Sequence, residues 1–172
     1  MIRGQPTLIG PTVTLRPIEA ADFHGLYSAA NDPLIWEQHS ERNRHEREVF
    51  ERFFQGALDC GGGLVITERR GGRIIGSSRF YDWDQEGSSV VIGYTFLERA
   101  YWGGATNREV KALMLAHAFE HVATAWFHVS PGNLRSQRAL ERIGARLDRR
   151  EQVPVGGVPS DRLIYCMDRP TV

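Results

Sequence analysis

The sequence predicts one α+β domain: a mixed, mostly antiparallel central sheet of about six to seven strands with about four helices. Three observations predict it. The β-type runs Leu64–Glu68, Arg73–Trp83 and Ser89–Leu97 are separated only by Arg70-Gly71-Gly72 and Asp84-Gln85-Glu86-Gly87, as in an antiparallel meander. Val110, Leu113, Met114, His117, Ala118, His121 and Val122 then follow an i, i+3, i+4, i+7 stripe, the mark of a helix with one apolar face. Finally, 172 residues suit a single core, and no repeat, low-complexity tract or linker divides the chain.

The remaining elements fall into order around these. Val13–Ile18 reads as a first strand, with Pro17 as its stop. A first helix over Ala20–Ala30 ends at the Asn31-Asp32-Pro33 breaker. A second helix over Arg44–Leu58 carries Val49, Phe53 and Ala57 at near-helical spacing, with Phe50 and Phe54 beside them, and Gly61-Gly62-Gly63 ends it. Glu109 favours the dipole at the start of the third helix. Thr124–Val129 is the fifth strand, with Trp126 and His128 alternating against Ala125 and Phe127. A short helix runs from the N-cap type Asn133 to Ile143, before Gly144 at the C′ position. Val153–Gly157 and Arg162–Met167 read as a closing hairpin.

Composition excludes some function classes. Lys plus Arg and Asp plus Glu are both 21, so there is no net field to gather nucleic acid or an anionic membrane; arginines between Arg135 and Arg150 leave a local basic patch open. The first residues lack the apolar core of a signal peptide, and no apolar run is long enough to span a bilayer. Cys60 and Cys166 are far apart and read as free thiols, which argues against a disulfide framework or a cysteine zinc site and for the cytoplasm. No nucleic-acid, membrane or metal partner is expected.

The passage from Ser89–Leu97 through Trp102-Gly103-Gly104-Ala105-Thr106-Asn107 into the third helix carries the chemistry. A strand feeding a glycine turn and a helix N-terminus converges unpaired N–H groups and a positive dipole end on one point. Gly103 and Gly104 remove side chains that would block an anion. On its own, glycine before a helix reads first as a tight turn without ligand. It is not a Walker loop, because no Gly-Lys-Ser/Thr follows, and it does not match G-x-G-x-x-G.

Three separated blocks make the pattern specific: Ile92–Leu97, Tyr101–Glu109 and Asn133-Leu134-Arg135-Ser136. In this order they resemble the GNAT superfamily of N-acetyltransferases, and most closely the RimJ/RimL branch of ribosomal-protein alanine N-acetyltransferases. The likeness in element order covers nearly the whole chain, and the likeness in motifs is concentrated in residues 90–145. Against that family's Arg/Gln-x-x-Gly-x-Gly/Ala turn, Trp102 replaces Arg/Gln, Ala105 takes the central glycine and Asn107 the last small position. A methyl at Ala105 crowds the phosphate if the backbone there needs a positive φ.

The resemblance implies acetyl-CoA as co-substrate, with no metal. Its pyrophosphate lies on Trp102, Gly103, Gly104, Ala105, Thr106 and Asn107, and strands four and five splay so that pantetheine bonds to the backbone around Phe96 and Leu97. A backbone N–H within Tyr94–Leu97 polarises the thioester carbonyl. Asn133 is the pantetheine contact and Ser136 the candidate proton donor to the leaving thiolate; from the residues alone they also read as a plain N-cap and a solvated helix position. Trp36 and His39 lie where the family walls its acceptor pocket, or on a surface loop. A homodimer is allowed.

No general base stands out. Asp82, Asp84 and Glu86 read as turn carboxylates. Tyr94 and Tyr165 either enter the cleft, Tyr94 then as a catalytic candidate, or serve as core tyrosines. His117 and His121 share a helix face without an evident third ligand, and HExxH is absent. The expected function is direct transfer of acetyl from the thioester to a primary amine, of a protein N-terminus or of a small molecule. The alternative is a non-catalytic acyl-CoA-binding or sensing module on the same fold.

Overall fold

The computed structural model describes residues 5–155 and 157–171; Met1–Gly4, Gly156 of the expected closing turn and Val172 lie outside it. Its strands are β1 (Leu8–Ile9), β2 (Val13–Pro17), β3 (Gly63–Glu68), β4 (Ile74–Asp84), β5 (Ser89–Leu97), β6 (Thr124–Val129), β7 (Arg146–Val155) and β8 (Val158–Asp168). The helices are α1 (Phe23–Ala30), α2 (Pro33–Trp36), α3 (Arg47–Asp59), α4 (Thr106–Phe119) and α5 (Leu134–Arg142). The eight strands form one sheet in the order β1-β2-β3-β4-β5-β6-β8-β7, one strand and one helix beyond the upper end of the sequence reading.

The additions have local causes. Asp32-Pro33 ends α1 as expected and also starts α2: the Asp32 side chain accepts from Leu34 N, and proline takes the first turn, where its missing N–H costs nothing. The two-residue β1 pairs with Leu15 and Thr14 beyond the chain's first expected strand. β7 begins at Arg146 rather than Val153 and pairs with β8 through Val155–Val158. The expected first helix divides into a 3-10 turn over Ala20–Asp22 and α1.

All neighbouring strands are antiparallel except β5 and β6. That parallel pairing covers only Ser89–Val91 against Thr124–Trp126. Beyond it β5 keeps β4, and β6 keeps β8, but the two strands no longer pair with each other. The splay leaves a sheet edge inside the domain.

Two apolar clusters hold the sheet on its two faces. One joins Leu15, Leu64, Ile66, Phe80, Ile92 and Phe127 to Val110, Met114 and Ala118 of α4 and Leu140 of α5. The other packs Leu26, Trp36, Phe50, Phe53 and Phe54 of α1–α3 against Val65 and Phe96. Each of the valine, leucine, isoleucine, phenylalanine and methionine side chains among them, fully buried, contributes about 1.5–3 kcal/mol relative to exposure. Glu109 fixes the start of α4 to β2. Its carboxylate accepts Thr12 N at 2.8 Å, Thr12 Oγ1 at 2.5 Å and Val13 N at 3.0 Å. Burial opposes ionisation there, but these three hydrogen bonds prevail and hold the carboxyl below its ordinary value.

Candidate functional site

The splay opens into a cleft of about 1200 Å³ that runs from the Gly103-Gly104 turn, between β5 and β6, to the β7–β8 hairpin. At one end lies the N-terminus of α4. Gly103 takes φ +72, which favours glycine, whereas a Cβ at Gly104 would meet nothing within 4 Å. Ala105 is right-handed, at φ −80 and ψ −14, so its methyl carries no backbone strain and the condition for phosphate crowding is absent. Gly103, Gly104, Asn107 and Arg108 face the cleft; Ala105 and Thr106 belong to the turn without lining it.

Trp102 closes this end. Its indole Nε1 donates to Leu97 O at 3.0 Å, and the Arg135 guanidinium lies 3.9 Å from its ring centre. Arg135 is held in turn by Ile35 O at 2.9 Å, and its own backbone N–H donates to Gln38 Oε1 at 3.0 Å. The start of α5 is thereby joined to the segment after α2. Asn133 caps α5, its Oδ1 accepting Ser136 N at 3.1 Å, and both Asn133 and Ser136 line the cleft. The cap and the cleft wall are thus the same residue.

Tyr94 marks the middle of β5. The register steps from Ser77–Phe96 to Arg79–Gly93, so Tyr94 and Thr95 together oppose Ser78 in a bulge, and Tyr94 adopts φ +52. A non-glycine residue in this region costs about 1–3 kcal/mol, which its surroundings must offset. Arg79 stacks on the Tyr94 ring at 4.2 Å and on Phe53 at 4.6 Å, and Arg44 faces the ring at 5.9 Å. The ring stays 43% exposed and enters the cleft. Phe96 and Leu97, also at the cleft wall, bury their side chains on opposite faces of the sheet.

The expected acceptor wall is corrected at Trp36. Its ring is 1% exposed, its Nε1 donates to Ala30 O at 2.7 Å, and it packs on Phe53 and Phe96 in the core. His39, 5.1 Å from it ring to ring, faces the cleft instead. Burial first, then the charges of Arg44 and Arg135, pull His39 down to about 4, so it is neutral near pH 7. Tyr165 is 2% exposed and donates to Glu141, making it a core tyrosine.

Several cleft residues had no sequence reading as site residues. His128 on β6 lies with Nδ1 3.3 Å from Tyr81 Oη, and Tyr81 packs edge-on against Tyr94. Burial and Arg162 lower the His128 pKa, while burial raises that of Tyr81. Asp82, a turn carboxylate by sequence, also lines this end and takes φ +49. Lys111 of α4 reaches the cleft floor beneath the bulge, where its Nζ donates to Thr95 Oγ1 at 2.6 Å. Away from the cleft, Glu120 lies at the same helix end as the His117 and His121 pair. One ligand atom from each lies within 4.8 Å of the others.

Arranged along one cleft are a glycine turn at a helix N-terminus, an unpaired strand edge, and an aromatic chamber holding the His128 imidazole. This order suits a long thioester whose phosphates bind at one end and whose acyl group reacts at the other. No helix among the described residues is long and apolar enough to cross a membrane.

The comparisons agree with that geometry. Residues 12–146 match the model of the Acetyltransferase (GNAT) domain. No curated protein sequence is a significant match. Among solved structures, a GCN5-related N-acetyltransferase from Brucella melitensis superposes with TM-score 0.84 at 18% identity, over 95% of this chain and 79% of that one. An acetyltransferase from Agrobacterium tumefaciens gives 0.74 at 25% identity, over 95% of both chains. RimJ of Mycobacterium smegmatis, solved with CoA-disulfide, gives 0.74 at 21% identity, over 98% of this chain and 90% of its own. With more than half its length matched by the domain model and the splayed sheet in place, the chain belongs to the GNAT family and is an N-acetyltransferase.

Proposed function

We propose that the protein binds acetyl-CoA along the β5–β6 cleft and passes its acetyl group to a primary amine in a ternary complex. The observation that carries this is the end of parallel pairing at Val91–Trp126, in line with the Gly103-Gly104 turn and the N-terminus of α4. Gly104 leaves open space where a phosphate needs it, and a helix N-terminus supplies donors and dipole. The unpaired edges of β5 and β6 suit the amide groups of pantetheine, which bond to backbone as an added strand does. CoA in the RimJ structure supports the same ligand here.

The thioester then lies by the Tyr94 bulge, where a backbone N–H of β5 stabilises the oxyanion. An acceptor amine arrives as an ammonium and has to lose a proton before it attacks. His128, neutral near pH 7 and facing the same chamber, accepts that proton directly or through one water. Tyr94 positions the amine. Ser136 donates to the departing thiolate from the start of α5. The acceptor is a protein N-terminal amine or a small-molecule amine, and the aromatic chamber at Tyr81 and Tyr94 favours one that brings an apolar group beside its nitrogen.

Two measurements test this. CoA raises the melting temperature of the protein progressively with the logarithm of its concentration above Kd, and thiol release from acetyl-CoA depends on an added amine across a panel of peptides and small amines. Absence of stabilisation at millimolar CoA overturns the cofactor assignment; stabilisation without amine-dependent thiol release overturns the transfer.

A further inference from the structure

Lys111 is the only lysine in the chain, where every other basic aliphatic position is arginine. It is also the least exposed cation lining the cleft, at 6%. Helix α4 offers Val110, Lys111, Met114, Leu115 and Ala118 to the interior, so an amine stands where the neighbouring positions are apolar. Among the described residues no carboxylate pairs with it; Phe127 of β6 lies 5.9 Å from its Nζ. Its one hydrogen bond has a fixed sense. Ser78 Oγ donates to Gly93 O, so Thr95 Oγ1 donates to Ser78 Oγ, and Thr95 Oγ1 is left to accept from Lys111 Nζ. An uncharged amine in this position donates one hydrogen to Thr95 and keeps its lone pair.

Structural duty alone does not account for a lysine here. A methionine fills similar volume without the desolvation penalty of an unpaired ammonium. Burial, the sole cause, draws Nζ down to about 7, so a large part of the population carries a nucleophilic lone pair near neutral pH. Thr95, its partner, belongs to the bulge beside Tyr94, on the strand edge that faces the splay.

We infer that Lys111 is an internal acyl acceptor: with acetyl-CoA bound and no amine in the acceptor chamber, the protein acetylates its own Lys111 Nζ. The inference rests on the placing of acetyl-CoA in the β5–β6 cleft. In the step, the Nζ lone pair forms a C–N bond to the thioester carbonyl carbon and the C–S bond breaks. The proton lost by nitrogen ends on the leaving thiolate, giving an amide and free CoA thiol. Nothing is oxidised or reduced.

The test is intact mass and peptide fragmentation of the full chain incubated with acetyl-CoA and no amine. The expected result is the mass of one acetyl group on Lys111, acquired at a rate that saturates with acetyl-CoA and is suppressed by CoA. Gly104→Asp, which sets a carboxylate against the pyrophosphate, acquires it at least tenfold more slowly at limiting acetyl-CoA. Lys111→Met and Lys111→Arg acquire none, and Lys111→Met, the variant matched in volume, keeps its thermal stabilisation by CoA. Stabilisation of the wild type by CoA without acetyl on Lys111 overturns the inference and leaves the cofactor assignment standing. An acetyl group confined to the N-terminal amine, or one that accrues on Lys111 without saturation and equally in Gly104→Asp, also overturns it. Failure of CoA to stabilise the wild type, with no acetylation, overturns both.

Discussion

The guanidinium of Arg135, at the start of α5, lies 3.9 Å from the centre of the Trp102 ring, at the end of the cleft where the glycine turn begins. The contact joins two blocks that lie far apart in sequence, and both residues line the cleft. A cation over an indole contributes about 0.5–2 kcal/mol, so Arg135→Ala weakens CoA about 2- to 30-fold in calorimetry. The kcat changes less than the KM for acetyl-CoA. Arg135→Lys does not restore affinity, because an ammonium cannot stack as a plane while also reaching Ile35 O. Unchanged CoA affinity in Arg135→Ala would remove the stack from the binding site.

Gly104 separates charge from strain. Its φ is not positive and its Cβ direction is open, so Gly104→Ala keeps both fold stability and CoA affinity within about twofold. Gly104→Asp folds equally well but loses CoA binding at least tenfold, and part of the loss is recovered at high salt. Gly103→Ala behaves in the opposite way. At φ +72 it loses about 1 kcal/mol of stability by denaturant unfolding. Equal CoA affinities for the Ala and Asp variants at Gly104 would move the pyrophosphate elsewhere.

Asn133 has two duties that substitution can divide. Asn133→Ala removes the cap on Ser136 N and lowers stability by about 1 kcal/mol. Asn133→Asp keeps the cap, so its melting temperature stays near wild type, yet its charge on the cleft wall weakens CoA severalfold. If Asn133→Asp binds CoA as well as the parent does, the residue is a cap alone.

These positions show what the sequence discloses. The Gly103-Gly104 turn, the α4 stripe and the Asn133 cap are local signals, since glycine freedom, a 3.6-residue period and a capping amide each act within a few residues of chain. The Tyr94 bulge has no such signal: a tyrosine at φ +52 is held by Arg79 and Phe53, which approach from β4 and α3. Trp36 looked like a loop aromatic because Asp32-Pro33 marks a helix start as well as a stop. The strand over Arg146–Gln152 lies at the sheet edge with most of its residues exposed, so no apolar alternation reveals it. Lys111 stands beside Val110 but outside the expected apolar stripe, so its burial shows only once α4 is packed on the sheet. Its being the only lysine was the available clue.

The pH dependence of kcat/KM for the acceptor reports His128 if it is the proton acceptor. Burial, with Arg162 adding to it, places its pKa below the ordinary 6.5. The acidic limb of the profile therefore falls only as pH drops through that lower value, once the acceptor's own ionisation is divided out. His128→Gln removes this limb and lowers kcat about 100-fold or more. A limb that persists in His128→Gln assigns proton acceptance to another group.

Lys111 also ties stability to pH, independently of any acylation. In the unfolded chain its pKa is 10.5, and in the native state burial lowers it to about 7. Between these values the unfolded chain binds more protons than the native one, so this residue makes unfolding harder as pH rises, with a limiting slope of about 1.4 kcal/mol per pH unit. Below the native value both states are charged and the slope vanishes. Lys111→Met lacks the contribution. Urea unfolding at a series of pH values between 7 and 9.5 therefore gives a variant that is more stable than wild type at the lower end, by an amount that shrinks as pH rises. Parallel stability curves for the two proteins would mean that Lys111 stays charged in the native state, and the neutral nucleophile would be lost with it.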